Sequence, residues 1–331
     1  IRRLPDGRVF VAGLDVSSGP RGADTRAADW FFSQREFVIR GATVRWIDEQ
    51  RAVEPLELRA LELVMRNGPR SHDLRIDAMP PASWGQHLQL VGKFRRPLLS
   101  LHAGRWADWD GQAFADFARV DISQLRRYLD LAGGVELREG AGAVRAWVDV
   151  GRGAVVGGAA DLALADVGAR LGAGLESLEM KSLAGRIGGK RLGGGFQLYT
   201  EGLQFQTRDG LHWPGGNVLV SHTPGVGLAP AVGELRADRL DLAALGQIAS
   251  RLPLGTVTHA TLRDHAVKGL VETVQARWQG PLDAWENYEV RGRVTGLEVA
   301  ARAPPGVASR AQDGSDPAPP LGLPGIRGAS L

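Results

Sequence analysis

Apolar and polar residues alternate with a period of two over most of this chain, which restricts it to strands with one greasy and one wet face. From Phe37 the sequence runs Phe-Val-Ile-Arg-Gly-Ala-Thr-Val-Arg-Trp-Ile-Asp. With a bulge at Gly41, residues Phe37, Ile39, Ala42, Val44 and Trp46 share one face against Arg40, Thr43 and Arg45. Comparable runs follow at 56–66, at 72–79 (Leu74 and Ile76 against Asp73, Arg75 and Asp77) and at 86–94 (Leu88, Leu90 and Phe94 against Gln89, Val91 and Lys93). Further strands are expected at 98–103, 142–150, 161–166, 177–188, 194–200, 203–208, 216–221, 257–263, 271–279 and 288–300. Turn residues separate most of them, as at Trp109-Asp110-Gly111 and Arg208-Asp209-Gly210, so the spacing predicts an antiparallel meander.

Two short segments depart from this period. Ile122, Leu125 and Leu129 recur at spacings of three and four behind Asp121 or Ser123 as the N-cap, predicting a helix of two to three turns. The pattern returns 120 residues later at Asp241, Leu242 and Leu245 and is stopped by Pro253, which reads as a weak repeat of strands followed by a capping helix. The expected organisation is a curved β segment over 1–302, repeating at about 1–133 and 134–253 with a remainder at 254–302. A Pro- and Gly-rich linker at 303–325 and the start of a further strand at 326–331 follow.

Composition narrows the partners. The 45 glycines in 331 residues are about twice the usual share and lack a collagen period, so they mark turns and bulges. Lys and Arg exceed Asp and Glu by only 40 − 37 = 3, and the two signs are interleaved, which argues against a nucleic-acid surface. Zero cysteines exclude disulfides, thiol catalysis and cysteine metal sites. The stretch 210–233 carries no charged residue, but Pro214, Pro224 and Pro230 make a spanning helix an unsuitable reading. Any membrane anchor is expected outside this segment, which reads as a piece of a longer protein.

The residues offer no catalytic set. The histidines show no metal spacing, and the pair His259 and His265 falls too far apart along a strand to share an ion. Asp108-Trp109-Asp110-Gly111 has the paired acids of some sugar-transferring enzymes but reads better as a turn. Gly188-Gly189-Lys190 and Gly193-Gly194-Gly195 lack the Ser/Thr and following helix of a phosphate loop. The tryptophans at strand ends read as edge packing before they read as a membrane rim. Catalytic residues, metal ligands and cofactors are therefore assigned to none.

Several stretches together resemble the YhdP family, the large AsmA-like envelope proteins of Gram-negative bacteria. They are Asp29-Trp30-Phe31-Phe32-Ser33-Gln34-Arg35, Gly41-Ala42-Thr43-Val44-Arg45-Trp46-Ile47-Asp48-Glu49, and the Leu-rich run into Asn67-Gly68 and His72. Met79-Pro80-Pro81-Ala82-Ser83-Trp84-Gly85, Arg145-Ala146-Trp147, Thr207-Arg208-Asp209-Gly210 with Trp213-Pro214, and Tyr288-Glu289-Val290-Arg291-Gly292 continue the series in order. The resemblance implies a protein anchored in the inner membrane by a region absent here, whose bulk stands in the periplasm as a long curved sheet. It implies that phospholipid acyl chains are the partner, carried between inner and outer membrane, with no catalytic residues.

The residues agree on their own terms. Two short helices cannot cover the apolar face of so many strands, so the sheet either curls around a dry core or stays open as a groove. The expected fold is mostly β, a long and strongly curved antiparallel β-sheet of the repeating β-groove type with two short capping helices. The expected groove lining is Phe37, Ile39, Val44, Leu56, Leu58, Leu74, Ile76, Leu88, Leu90 and Phe94. The alternative is a non-catalytic periplasmic scaffold or interaction module with a closed core, and a carbohydrate-active protein using Asp108 and Asp110 is the distant third.

Overall fold

The computed structural model describes residues 1–15, 17, 26–98, 100, 102–128, 134–227, 229–252, 254, 267–281, 285–300 and 326–329. The expected strand at 257–263, the linker at 303–325 and the pair His259 and His265 lie outside these. Over the described residues the chain is mostly β, with antiparallel meanders, an open sheet and only a few short helices. It divides into two compact units: residues 1–169 with 179–191, and residues 170–178 with 192–331.

The first unit opens with three short strands, β1 (Arg2–Arg3), β2 (Val9–Val11) and β3 (Leu14–Asp15), and helix α1 (Arg26–Ser33). Its main sheet follows in chain order as β4 (Glu36–Asp48), β5 (Leu56–Asn67), β6 (Ser71–Met79), β7 (Leu88–Arg95), β8 (Asp110–Asp121), β9 (Glu136–Gly151), β10 (Ala154–Arg170) and β11 (Leu178–Leu192). Each of β4 to β8 pairs antiparallel with the next, β9 pairs with β10, and β1 adds in parallel beside β4. A short helix α2 (Ile122–Leu125) follows β8 directly.

The bulge expected at Gly41 is present. Ile39 and Ala42, three apart on β4, face Leu63 and Leu61, two apart on β5, and Gly41 has φ +61°. A compensating bulge that no residue type announced falls on β5, where Ala42 and Val44 face Leu61 and Leu58 and Ala60 takes φ +47°. Together they return both strands to one register and add local twist. A third bulge falls on β8, where Phe117 and Val120 face Val144 and Gly142.

The second unit holds β12 (Gly195–Thr207), β13 (His212–Trp213), β14 (Asn217–Thr223), β15 (Val232–Asp241), helix α3 (Leu242–Ile248), β16 (Lys268–Gln279), β17 (Asn287–Val299) and β18 (Ile326–Ala329). β12 pairs with β13 and β14, and the order then runs β14, β15, β16, β17, β18, all antiparallel. Thr207 and Asp209 hydrogen-bond across the turn expected at 208–210, and Arg251 pairs with Asp209 at 2.9 Å.

Both expected helices are present, capped by aspartates that end a strand. Asp121 accepts from Ser123 N, and Asp241 accepts from Ala243 N and Ala244 N. The first helix is shorter than the expected two to three turns, since α2 is one turn followed by hydrogen-bonded turns at 126–128. Ile122 is its only buried side chain, too little to hold a longer helix in place. The strand expected at 98–103 does not form among the described residues there. His102 Nδ1 instead meets Asp29 at 3.0 Å and Gly104 N donates to Asp29, tying this stretch to α1.

Candidate apolar groove

Cross-strand register puts the apolar residues of the first unit on one face. Val44, Leu58 and Trp46, Leu56 are paired on β4 and β5, as are Ile39, Leu63 and Phe37, Met65. The face continues through Leu63, Ile76 and Leu90 and through Met65, Leu74 and Gly92. It reaches β8 and β9 at Leu88, Phe117 and Val144. All ten residues expected to line the groove lie on this face. Nine of them remain partly exposed and Leu88 alone is buried, so the face is walled by its own side chains without being sealed by them.

The opposite face is wet and charged. Arg75 pairs with Asp77 at 2.7 Å, Arg145 with Asp116 at 3.3 Å and Arg186 with Asp161 at 2.6 Å. Hydrogen bonding to Arg75 holds the Asp77 carboxyl below its usual range, and Arg186 does the same for Asp161. These ladders keep the convex side in water and fix which face turns inward.

Within the apolar face, Leu61, Ala78 and Leu88 form a buried cluster, with Ile39, Val44, Leu58, Ile76, Leu90 and Phe117 packed against it. Beside it lies a cavity of about 280 Å³ walled by Val44, Trp46, Leu56 and Leu58 on one side and Leu88, Leu90, Phe117 and Val120 on the other. In a flat sheet β4 and β8 would stand roughly 19 Å apart, four spacings of about 4.8 Å. A cavity this small touching both requires the first unit's sheet to be strongly curved.

The two ends of the face are finished differently. At one, α1 lays Phe31 against Phe37 at 4.8 Å, and Phe32 meets His72 at 5.5 Å and Trp109 at 4.8 Å. His72 stacks on Trp109 at 4.1 Å, and Phe94 completes the plug at 5.9 Å from Trp109. At the other end, beside the cavity, Trp84 packs on Tyr128 at 4.9 Å, and the Tyr128 hydroxyl donates to Glu54 O. The segment carrying Trp84 is pinned to the β8 bulge, with Gln86 N donating to Arg119 O and Asp121 N to Trp84 O.

Phe31, Phe32, Trp84, Phe117 and Tyr128 were not expected in the site. The switch from Leu56 and Leu58 to Leu61, Leu63 and Met65 was the available signal for the β5 bulge and hence for three more wall residues. Asp108 and Asp110 do not form a catalytic pair. Asp108 lies 3.9 Å from Arg105, and Asp110 accepts from Arg152 N at 2.9 Å. Among the described residues no cluster of His, Asp and Glu could hold a metal, and no helix is long and apolar enough to cross a membrane.

The second unit repeats the pattern within itself. Leu198, Val220, Leu235, Ala276 and Val290 are opposed strand by strand from β12 to β17. Leu198 and Val290 are each more than half exposed. No curated protein and no solved structure matches the chain. A family model described as YhdP protein matches residues 6–311, the span that contains all of these strands but β1 and β18. The chain belongs to the YhdP family.

Proposed function

We propose that this chain is a non-enzymatic periplasmic segment of an AsmA-like envelope protein, anchored in the inner membrane by a region outside it. In this reading it holds phospholipid acyl chains along the apolar face of its sheet as they pass between inner and outer membrane. The observation that carries the proposal is the partly exposed state of Phe37, Ile39, Val44, Leu56, Leu58, Leu74, Ile76, Leu90 and Phe94 on one face, where Val44, Leu56, Leu58 and Leu90 line a cavity whose walls are almost wholly apolar. A scaffold with a closed core would bury these side chains against a second layer. An acyl chain laid here removes them from water, and each buried methylene contributes about 0.8 kcal/mol.

Site-directed photo-crosslinking in the cell envelope tests this. A benzophenone side chain at Leu90 is expected to capture lipid, while one at Lys93, on the opposite face, is expected to capture none. Equal labelling at both positions, or none at Leu90, would refute the proposal.

A further inference from the structure

The cavity bounded by Val44, Leu58, Leu90 and Phe117 has one charged side chain on its lining, that of Arg119. Arg119 sits in the β8 bulge between Phe117 and Val120, and its backbone oxygen is held by Gln86 N. The residue is exposed, and among the described residues no carboxylate pairs with it. Arg119 also borders a second hollow with Asp121, Glu139 and Asp166; Asp121 is committed to capping α2, and Glu139 and Asp166 have partners of their own. Arg75, Arg145 and Arg186 on this unit's strands are matched to an acid on the same or the next strand, while Arg40, Arg45 and Arg95, like Arg119, are not among the described residues, and of these only Arg119 lines the cavity.

Size adds a second constraint. A cavity of about 280 Å³ with almost wholly apolar walls has room for part of one acyl tail and offers a charged head group no polar partners inside. The head then stays outside, and Arg119 is the residue on the lining whose side chain carries a charge that can meet it. A guanidinium offers two parallel N–H donors that match a phosphate, and a ligand carrying no ammonium of its own leaves that pairing uncontested.

We infer that this cavity is a station for an anionic glycerophospholipid, with one acyl chain inserted between β4 and β8 and its phosphate on Arg119. The inference rests on the acyl-chain reading proposed above and adds head-group selectivity to it.

The test incubates the purified chain with vesicles of equimolar phosphatidylglycerol and phosphatidylcholine, re-isolates it and measures both lipids by mass spectrometry. The wild-type chain is expected to favour phosphatidylglycerol by roughly two- to five-fold, the range of a solvent-exposed ion pair, with the preference shrinking in high salt. Arg119→Gln is expected to abolish the preference while total lipid stays, and Val44→Asp to lose both lipids. If Arg119→Gln keeps the wild-type preference, or the wild type shows none, the head-group station is overturned while the acyl-chain reading stands. If the wild type takes up no lipid, both fall.

Discussion

His72 shows how a single side chain reports on the plug. It is 3% exposed, and burial, with Arg96 adding to it, lowers its pKa to about 4. Asn67 donates through its amide to Gln34 O, which leaves Asn67 Oδ1 to accept from His72 Nδ1 at 2.7 Å. The neutral ring therefore carries its proton on Nδ1, and Nε2 is buried without a partner. Because the folded pKa lies below the ordinary 6.5, the unfolded chain binds the extra proton between those values. Stability is complete above pH 6.5 and falls towards pH 4, by about 3 kcal/mol at most. The lowered carboxylates Asp77 and Asp161 act only below that window, so thermal melts of the first unit between pH 7 and pH 5 are expected to slope downward and those of His72→Phe to be nearly flat. The same scale shows what was legible. Gly41 marks its bulge by residue type, but Ala60 does not, because alanine rarely takes φ +47°. Gly41→Val should cost about 1–2 kcal/mol in urea denaturation, whereas Ala60→Gly should cost nothing, since relieved strain offsets the added freedom of the unfolded chain.

Among the elements, strands were legible because a half-buried sheet imposes period two on every residue, while α1 was not. Its sequence, Arg-Ala-Ala-Asp-Trp-Phe-Phe-Ser, sets Ala28, Phe31 and Phe32 on one face, but a stripe two turns long is short to read in sequence, and its place is set by distant partners: Phe37, His72, Trp109 and the loop held by Asp29. The two expected helices were legible through their caps. Asp241 satisfies two backbone donors and Asp121 one, together with the Ser123 hydroxyl. Asp241→Ala should destabilise its helix by about 1 kcal/mol. Hydrogen exchange is the measurement: the amides of Ala243 and Ala244 should exchange about five-fold faster, with β4 to β7 unaffected. Unchanged exchange would mean that Ile248, 2% exposed, holds α3 without its cap.

Across the whole molecule, two units each present an apolar face that their own side chains leave partly open, and the family match spans both. The direction of that face was readable from alternation. Curvature was not, because it arises from bulges at positions such as Ala60 and from the close pairing of Trp84-Gly85-Gln86 with the β8 bulge. A Cβ on Gly85 would stand 1.9 Å from Arg119 O, so a glycine at that point reads as a turn in sequence and as a close approach only in three dimensions. An open apolar face and a sealed core respond differently to an introduced charge. In a dry core a carboxylate costs several kcal/mol, while on a wall that meets solvent it keeps its water and costs far less. The most direct test compares the purified wild-type chain with Val44→Asp and Leu90→Asp, reading bound phospholipid by native mass spectrometry and stability by thermal melting. Phospholipid on the wild type, lost in both variants with only a modest drop in Tm, is the predicted result. A wild type free of lipid, with variants that no longer fold, would contradict the account.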